Sequence, residues 1–214
     1  MKERLNQIRT PMPVPVSERV LYPVLILLAG IALGVIAKML DETASNTLPP
    51  FLEALDLSNF LSRMGFWMFC GVCIALYAKT PLRAALSTFV FFAGMVSSYY
   101  VYTVLFAGFF PKAYMMIWIG MTVLSPVFGA ICWYARGTHP VSLALASVIL
   151  MLMTRQAFAF GFWYLDVRYA SELLLWVLTI AVLYRTPKQI LAVCGAAIPL
   201  FFITSPLNLF GGML

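Results

Sequence analysis

Long apolar runs alternate with short polar breaks along most of the chain. They cover Val20 to Leu40, Ser62 to Tyr77, Arg83 to Phe110, Lys112 to Tyr134, Pro140 towards Leu165, Tyr169 to Tyr184, and Gln189 to about Leu209. A helix of about 20 apolar residues crosses the ~30 Å hydrocarbon core of a bilayer. The pattern therefore predicts an all-α, polytopic helical membrane protein with about seven transmembrane helices, six being the lower count. Residues 1–19 are polar, proline-broken and basic, and read as a cytoplasmic N-terminal segment. Residues 20–214 form a single helical membrane domain. A cleavable signal peptide is not expected, because no short apolar core follows the basic start.

Several positions stand out within the runs. Gly30, Gly34 and Lys38 recur at spacing four in the first span, so they share one face, and two glycines so spaced let a second helix approach closely. Pro23 is expected in the first turn of that span. Asp41 to Phe60 is a polar connection containing Pro49 and Pro50, whose second half, FLEALDLSNFL, has helical periodicity suited to the interface. Pro126 in the fourth span leaves the carbonyl of Thr122 without its helical partner. The fifth run would be ~39 Å long if helical to Leu165, so it must tilt, break near Arg155 or project outwards. The last span carries Pro199, Pro206 and the Thr204–Ser205 pair.

Composition agrees with this pattern: 63% of the 214 residues are hydrophobic and only 10% are charged, with a mean hydropathy of +0.94. Soluble domains carry about a quarter charged residues. The net charge of +6 then bears on topology rather than on nucleic-acid binding. With the N-terminus inside, the cytoplasmic side holds nine of the fourteen cations: Lys2, Arg4, Arg9, Arg19, Lys79, Arg83, Arg136, Arg185 and Lys188. It holds two acids, Glu3 and Glu18, whereas the outer side takes six acids against five cations. The N-terminus is therefore expected to be cytoplasmic. Three connections share an aromatic, a cation and a helix-opening proline: Tyr77–Pro81, Tyr134–Pro140 and Tyr184–Pro187. Short cytoplasmic turns favour these residue types, and three related hairpins are the alternative explanation.

Candidate chemistry centres on Met151 to Glu172, where Arg155 and Gln156 interrupt an apolar run ahead of Asp166, Arg168 and Glu172. Charge inside a membrane must be paired, wet or snorkelling. Helical rise places Ser97, Arg155, Arg63, Lys38, Thr204 and Ser205 about 21 to 27 Å from the cytoplasmic ends, with Glu172 at about 18 Å. This layer implies an outward cavity lined by Tyr99, Tyr100, Tyr102, Trp163 and Tyr164. The candidate solute-binding residues are Arg155, Gln156, Ser97, Tyr100, Trp163, Asp166, Glu172 and Arg63. Arg155 is expected to pair with Glu172 or Asp166, while snorkelling accounts for Lys38 and Arg63. Cys70 and Cys73 form a CxxC inside an apolar run and are expected to be packing residues. The single histidine, His139, leaves no His-based zinc cluster, and no HExxH, phosphate-binding glycine loop or GxSxG occurs. No cofactor can be named.

The reading that follows is a non-enzymatic membrane protein that binds or moves a small solute from outside. In length and helix number the chain resembles the substrate-binding membrane subunits of vitamin-uptake systems. The alternatives are a lipid-modifying enzyme that directs Arg155 and Arg63 at a lipid phosphate, and an assembly or sensor subunit. Expected partners are membrane lipids, a small-molecule solute, and a membrane protein or second copy of the chain, with no nucleic acid.

Overall fold

A computed structural model describes residues 2–43, 49, 53, 55–108, 112–160 and 163–204. Pro50, Ser205, Pro206 and the expected end of the last span near Leu209 lie outside the described residues. A short helix, α1 (Lys2–Ile8), precedes α2 (Val16–Glu42), then come α3 (Leu57–Ser62), α4 (Met64–Tyr77) and α5 (Pro81–Tyr102). The last of these runs into one π-helical stretch, Thr103–Ala107. There follow α6 (Lys112–Tyr134), α7 (Pro140–Ala157), strands β1 (Phe158–Phe160) and β2 (Leu165–Val167), α8 (Ala170–Leu183) and α9 (Pro187–Thr204). Each of the seven apolar runs contains a helix, as expected of an all-α polytopic membrane protein. Five of them, α2, α5, α6, α7 and α9, are long and apolar enough to cross a membrane. The other two, α4 and α8, have 14 residues each and reach only ~21 Å.

Large apolar side chains on α2, α6 and α9 are exposed, among them Leu21, Leu25, Val123, Phe128, Leu191 and Phe202. Such a surface suits lipid and not water. α2 packs chiefly on α5, α5 also on α6, and α7 on α9. Close approach of α2 to α5 depends on the glycines. A Cβ on Gly30 would strike the Phe91 carbonyl, and one on Gly34 would strike the Met95 carbonyl and the Ser98 hydroxyl. Both halves thus run long, short, long, with the outer two helices in contact. The correspondence stops there, since α4 packs on α5 whereas α8 packs on α7.

One local expectation is corrected and two are met with added detail. α2 begins at Val16, so Pro23 lies inside the helix and not in its first turn. The fifth run breaks near Arg155, its helix ending at Ala157, and what the sequence did not announce is that Phe158–Phe160 and Leu165–Val167 pair as an antiparallel ladder with Ala159 opposite Asp166. Pro126 does remove a donor from the Thr122 carbonyl, but the Ser125 hydroxyl donates to that oxygen at 2.8 Å. Thr88 of α5 then donates to the Ser125 carbonyl at 3.1 Å, fastening α6 to α5 at the proline.

The end of the bundle nearest the N-terminus is held by arginine. Arg9 donates to the carbonyls of Trp133 at 2.5 Å, Leu76 at 3.1 Å and Ala78 at 3.5 Å, and stacks 4.3 Å from the Trp133 ring centroid. A cation there meets the orphan carbonyls of two helix C-termini. Burial, then the charges of Arg136 and Arg185, pull its pKa down to about 10, so it stays charged at neutral pH. Lys79 pairs with Glu18 at 2.6 Å on the same end. This is the end that the charge count leads one to expect in the cytoplasm. In a variant with its four cysteines replaced, Thr138→Cys is expected to react with a membrane-impermeant maleimide only after the membrane is opened. Labelling on intact cells would reverse the orientation.

Candidate functional site

At the end opposite Arg9, α2 remains helical to Glu42, which sets Asp41 and Glu42 three and four residues beyond Lys38 on one face. Lys38 is 4% exposed, and its ammonium lies 3.3 Å from Asp41 and 3.0 Å from Glu42. The expected snorkelling is thereby corrected: the ammonium turns to its own helix's carboxylates. Tyr99 of α5 donates to the same Asp41 oxygen at 3.0 Å, and the Lys38 ammonium is 5.3 Å from the Tyr99 ring centroid. Lys38, Asp41 and Tyr99 wall a cavity of about 270 Å³ between α2, α3, α4, α5 and α6. Tyr100, Thr103, Tyr114, Trp67 and Trp118 complete its polar and aromatic lining. Trp67 is fixed by donation to the Leu61 carbonyl at 2.7 Å, while Tyr114 and Trp118, one turn apart on α6, pack edge to face.

Beside this cavity the two short helices begin at charged residues. Arg63 caps α4, and Glu172 sits in the first turn of α8. Their Nε and Oε1 atoms are 3.0 Å apart, and the carboxylate is 1% exposed. The contact has ion-pair distance but not hydrogen-bond alignment, because Arg63 Nε and both Glu172 oxygens lack a hydrogen bond among the described residues. Arg63 also lies 3.7 Å from the Tyr169 ring centroid and 3.8 Å from Asp56. Gln156, 5% exposed, closes the group, with its Nε2 making no hydrogen bond to a described residue. Gly65 allows this: a Cβ there would lie 3.3 Å from Glu172 Oε2 and 3.5 Å from Gln156 Cγ.

Of the expected site residues, the structure brings together Arg63, Gln156 and Glu172, and places Tyr100 on the adjoining cavity wall. The others go elsewhere. Ser97 is exposed on α5 outside the cavity lining. Trp163 is 91% exposed, and Tyr164 and Asp166 are exposed beside it, at and just before the exposed strand β2. Tyr102 also falls outside the lining. The expected partner of Arg155 is corrected: Glu172 faces Arg63, while Asp166 accepts from the Val167 backbone. Arg155 donates instead to the Thr204 carbonyl at 2.7 Å, near the end of α9.

Sequence reasoning missed Lys38, Asp41, Tyr114 and Trp118 as a group. The signal was present in Lys-Met-Leu-Asp-Glu, whose charges fall at i, i+3 and i+4, but only if the helix continues past Leu40. No group of three or more His, Cys, Asp or Glu able to hold a metal occurs among the described residues. The arrangement suits recognition of a small molecule by paired charge, hydroxyls and ring faces.

The chain belongs to the family of unknown function DUF6518, which matches across residues 14–209. No curated protein and no solved structure matches it.

Removing one partner of a buried ion pair typically costs about 3–5 kcal/mol, because the other charge is stranded. Arg63→Ala should therefore lower the unfolding free energy by about that amount. Adding Glu172→Leu to Arg63→Met should restore most of it, measured by denaturant unfolding in micelles. Additive losses in the two single variants and the double one would show that the pair is not coupled.

Proposed function

We propose that the protein binds a small solute in the 270 Å³ cavity from the extracytoplasmic side and carries or presents it across the cell membrane. The observation that carries this reading is the charge on the cavity wall. Lys38 is almost wholly buried at membrane depth, yet it is kept with two carboxylates and a tyrosine hydroxyl beside an open volume. Intramembrane charge is costly and marks solute pathways more often than packing. The outward direction is supported by the cationic end around Arg9, which lies opposite. The short helices α4 and α8 add to the case, since interrupted or shortened helices build the solute sites of many transporters.

A lipid-modifying enzyme would need its carboxylate and its cation exposed to a headgroup. Glu172 does stand beside Arg63, but its carboxyl is buried and neither residue lines the cavity. An assembly subunit would need lipid-facing packing surfaces but no polar cavity. The solute-binding reading accounts for both observations.

Thiol accessibility tests the outward opening. In a cysteine-replaced background, Val96→Cys, on the cavity wall, should react with an impermeant thiosulfonate added outside. Val101→Cys, exposed on the lipid-facing side of α5, should not react. Equal silence at both positions would close the cavity to solvent and end the proposal.

A further inference from the structure

A second cavity, about 180 Å³, adjoins the first deeper in the bundle, between α4, α5, α6 and α7. Trp67 and Trp118 wall both, their ring centroids 6.5 Å apart and edge to face, so a single aromatic layer separates the two spaces. The lower space is carbon-lined, chiefly by Met68, Val72, Phe92, Met121, Phe128 and Ile149. Its three hydroxyls, Thr88, Thr122 and Ser125, are turned to backbone carbonyls, Thr88 also to that of Ser125 on the neighbouring helix. Thr88 donates to the Ala84 carbonyl, Thr122 to that of Trp118, and Ser125 to that of Thr122. A polar molecule would find the hydroxyl donors there already engaged, whereas an aliphatic chain would meet methionines that adapt to its shape.

The upper space has the opposite character. Lys38 is matched by two carboxylates, Asp41 on the wall and Glu42 outside the lining, so the Lys38 ammonium is more than neutralised and Asp41 keeps part of its negative charge for the cavity. Tyr99, Tyr100, Tyr114, Trp67 and Trp118 bring five aromatic rings to its wall. Ring faces and a surplus carboxylate attract a cation and repel an anion. Resting on the outward-cavity reading above, we propose that the solute is an amphiphilic organic cation. Its ammonium head sits among Asp41 and the tyrosines, and its aliphatic part passes the tryptophan pair into the lower cavity. Trp67 is pinned through its indole N–H to Leu61, so Trp118, which is only half-buried, is the ring that yields.

The test uses radiolabelled decyltrimethylammonium, butyltrimethylammonium and decanoate with the full chain in phosphatidylcholine nanodiscs, with empty discs subtracted. Saturable binding of the decyl cation at least tenfold tighter than the butyl cation, with decanoate not binding, is the expected result. Asp41→Asn should weaken both cations about tenfold. Met121→Trp, which fills the lower cavity, should abolish the difference between chain lengths. Equal affinity for the two cations would overturn the amphiphile and leave the outer cavity as a solute site. Binding of decanoate as tightly as the decyl cation would overturn the cationic head. Absence of saturable binding by any of the three would overturn the amphiphilic cation, and the Val96→Cys labelling would still decide the outward cavity separately.

Discussion

Everything at the upper end of this bundle depends on giving each buried charge a counter-charge where water is scarce. Two helices, α4 and α8, are too short to reach from one interface to the other, and each begins at an ionisable residue. Arg63 and Glu172 would each be prohibitive alone at that depth. Facing each other at 3.0 Å, they allow both helices to start inside the membrane and tie the two halves of the chain together. Gly65 is small enough to let Glu172 and Gln156 close over the pair. The same constraint governs Lys38, which draws its counter-charges from the next turn of its own helix.

Non-helical backbone at such depth has to find hydrogen bonds within the protein. Where α7 stops at Ala157, the chain answers with the β1–β2 ladder, and the Arg168 amide extends it by donating to the Ala157 carbonyl at 3.0 Å. Phe160 packs on Phe201 and Phe202 of α9, which keeps the ladder against the bundle. Arg155 reaches the Thr204 carbonyl of α9 from the same place. At the other end Arg9 performs the equivalent service for α4 and α6. Arginine thus satisfies helix ends at both faces of the molecule.

Much of the fold was legible because lipid imposes a simple rule on composition. The long spans, the Gly30–Gly34 face and the proline near Ser125 could all be read from periodicity and residue size. The β1–β2 ladder could not, because Phe-Ala-Phe-Gly-Phe-Trp-Tyr-Leu continues the apolar run without a polar break, and hydropathy cannot tell strand from helix there. Missing that ladder carried Trp163 and Asp166 into a site they do not join. Pairing went wrong for another reason: proximity in sequence favoured Arg155 for Glu172, whereas α8 meets α4 in space and so meets Arg63. Such a contact is set by helix packing, which no local pattern encodes.

The two cavities follow from the same geometry. Because α4 starts late, the bundle above it is lined by the ends of α2, α5 and α6, where tyrosines and carboxylates are tolerated close to the interface. Below, α4 is fully wound, its amides are satisfied internally, and its side chains Met68 and Val72 face neighbouring helices with nothing polar to offer. Polarity therefore changes abruptly at Trp67, one turn into α4 and anchored by Leu61. A ligand long enough to pass that ring must change polarity along its own length to match, with its charged part on the Asp41 side and its apolar part on the Met121 side.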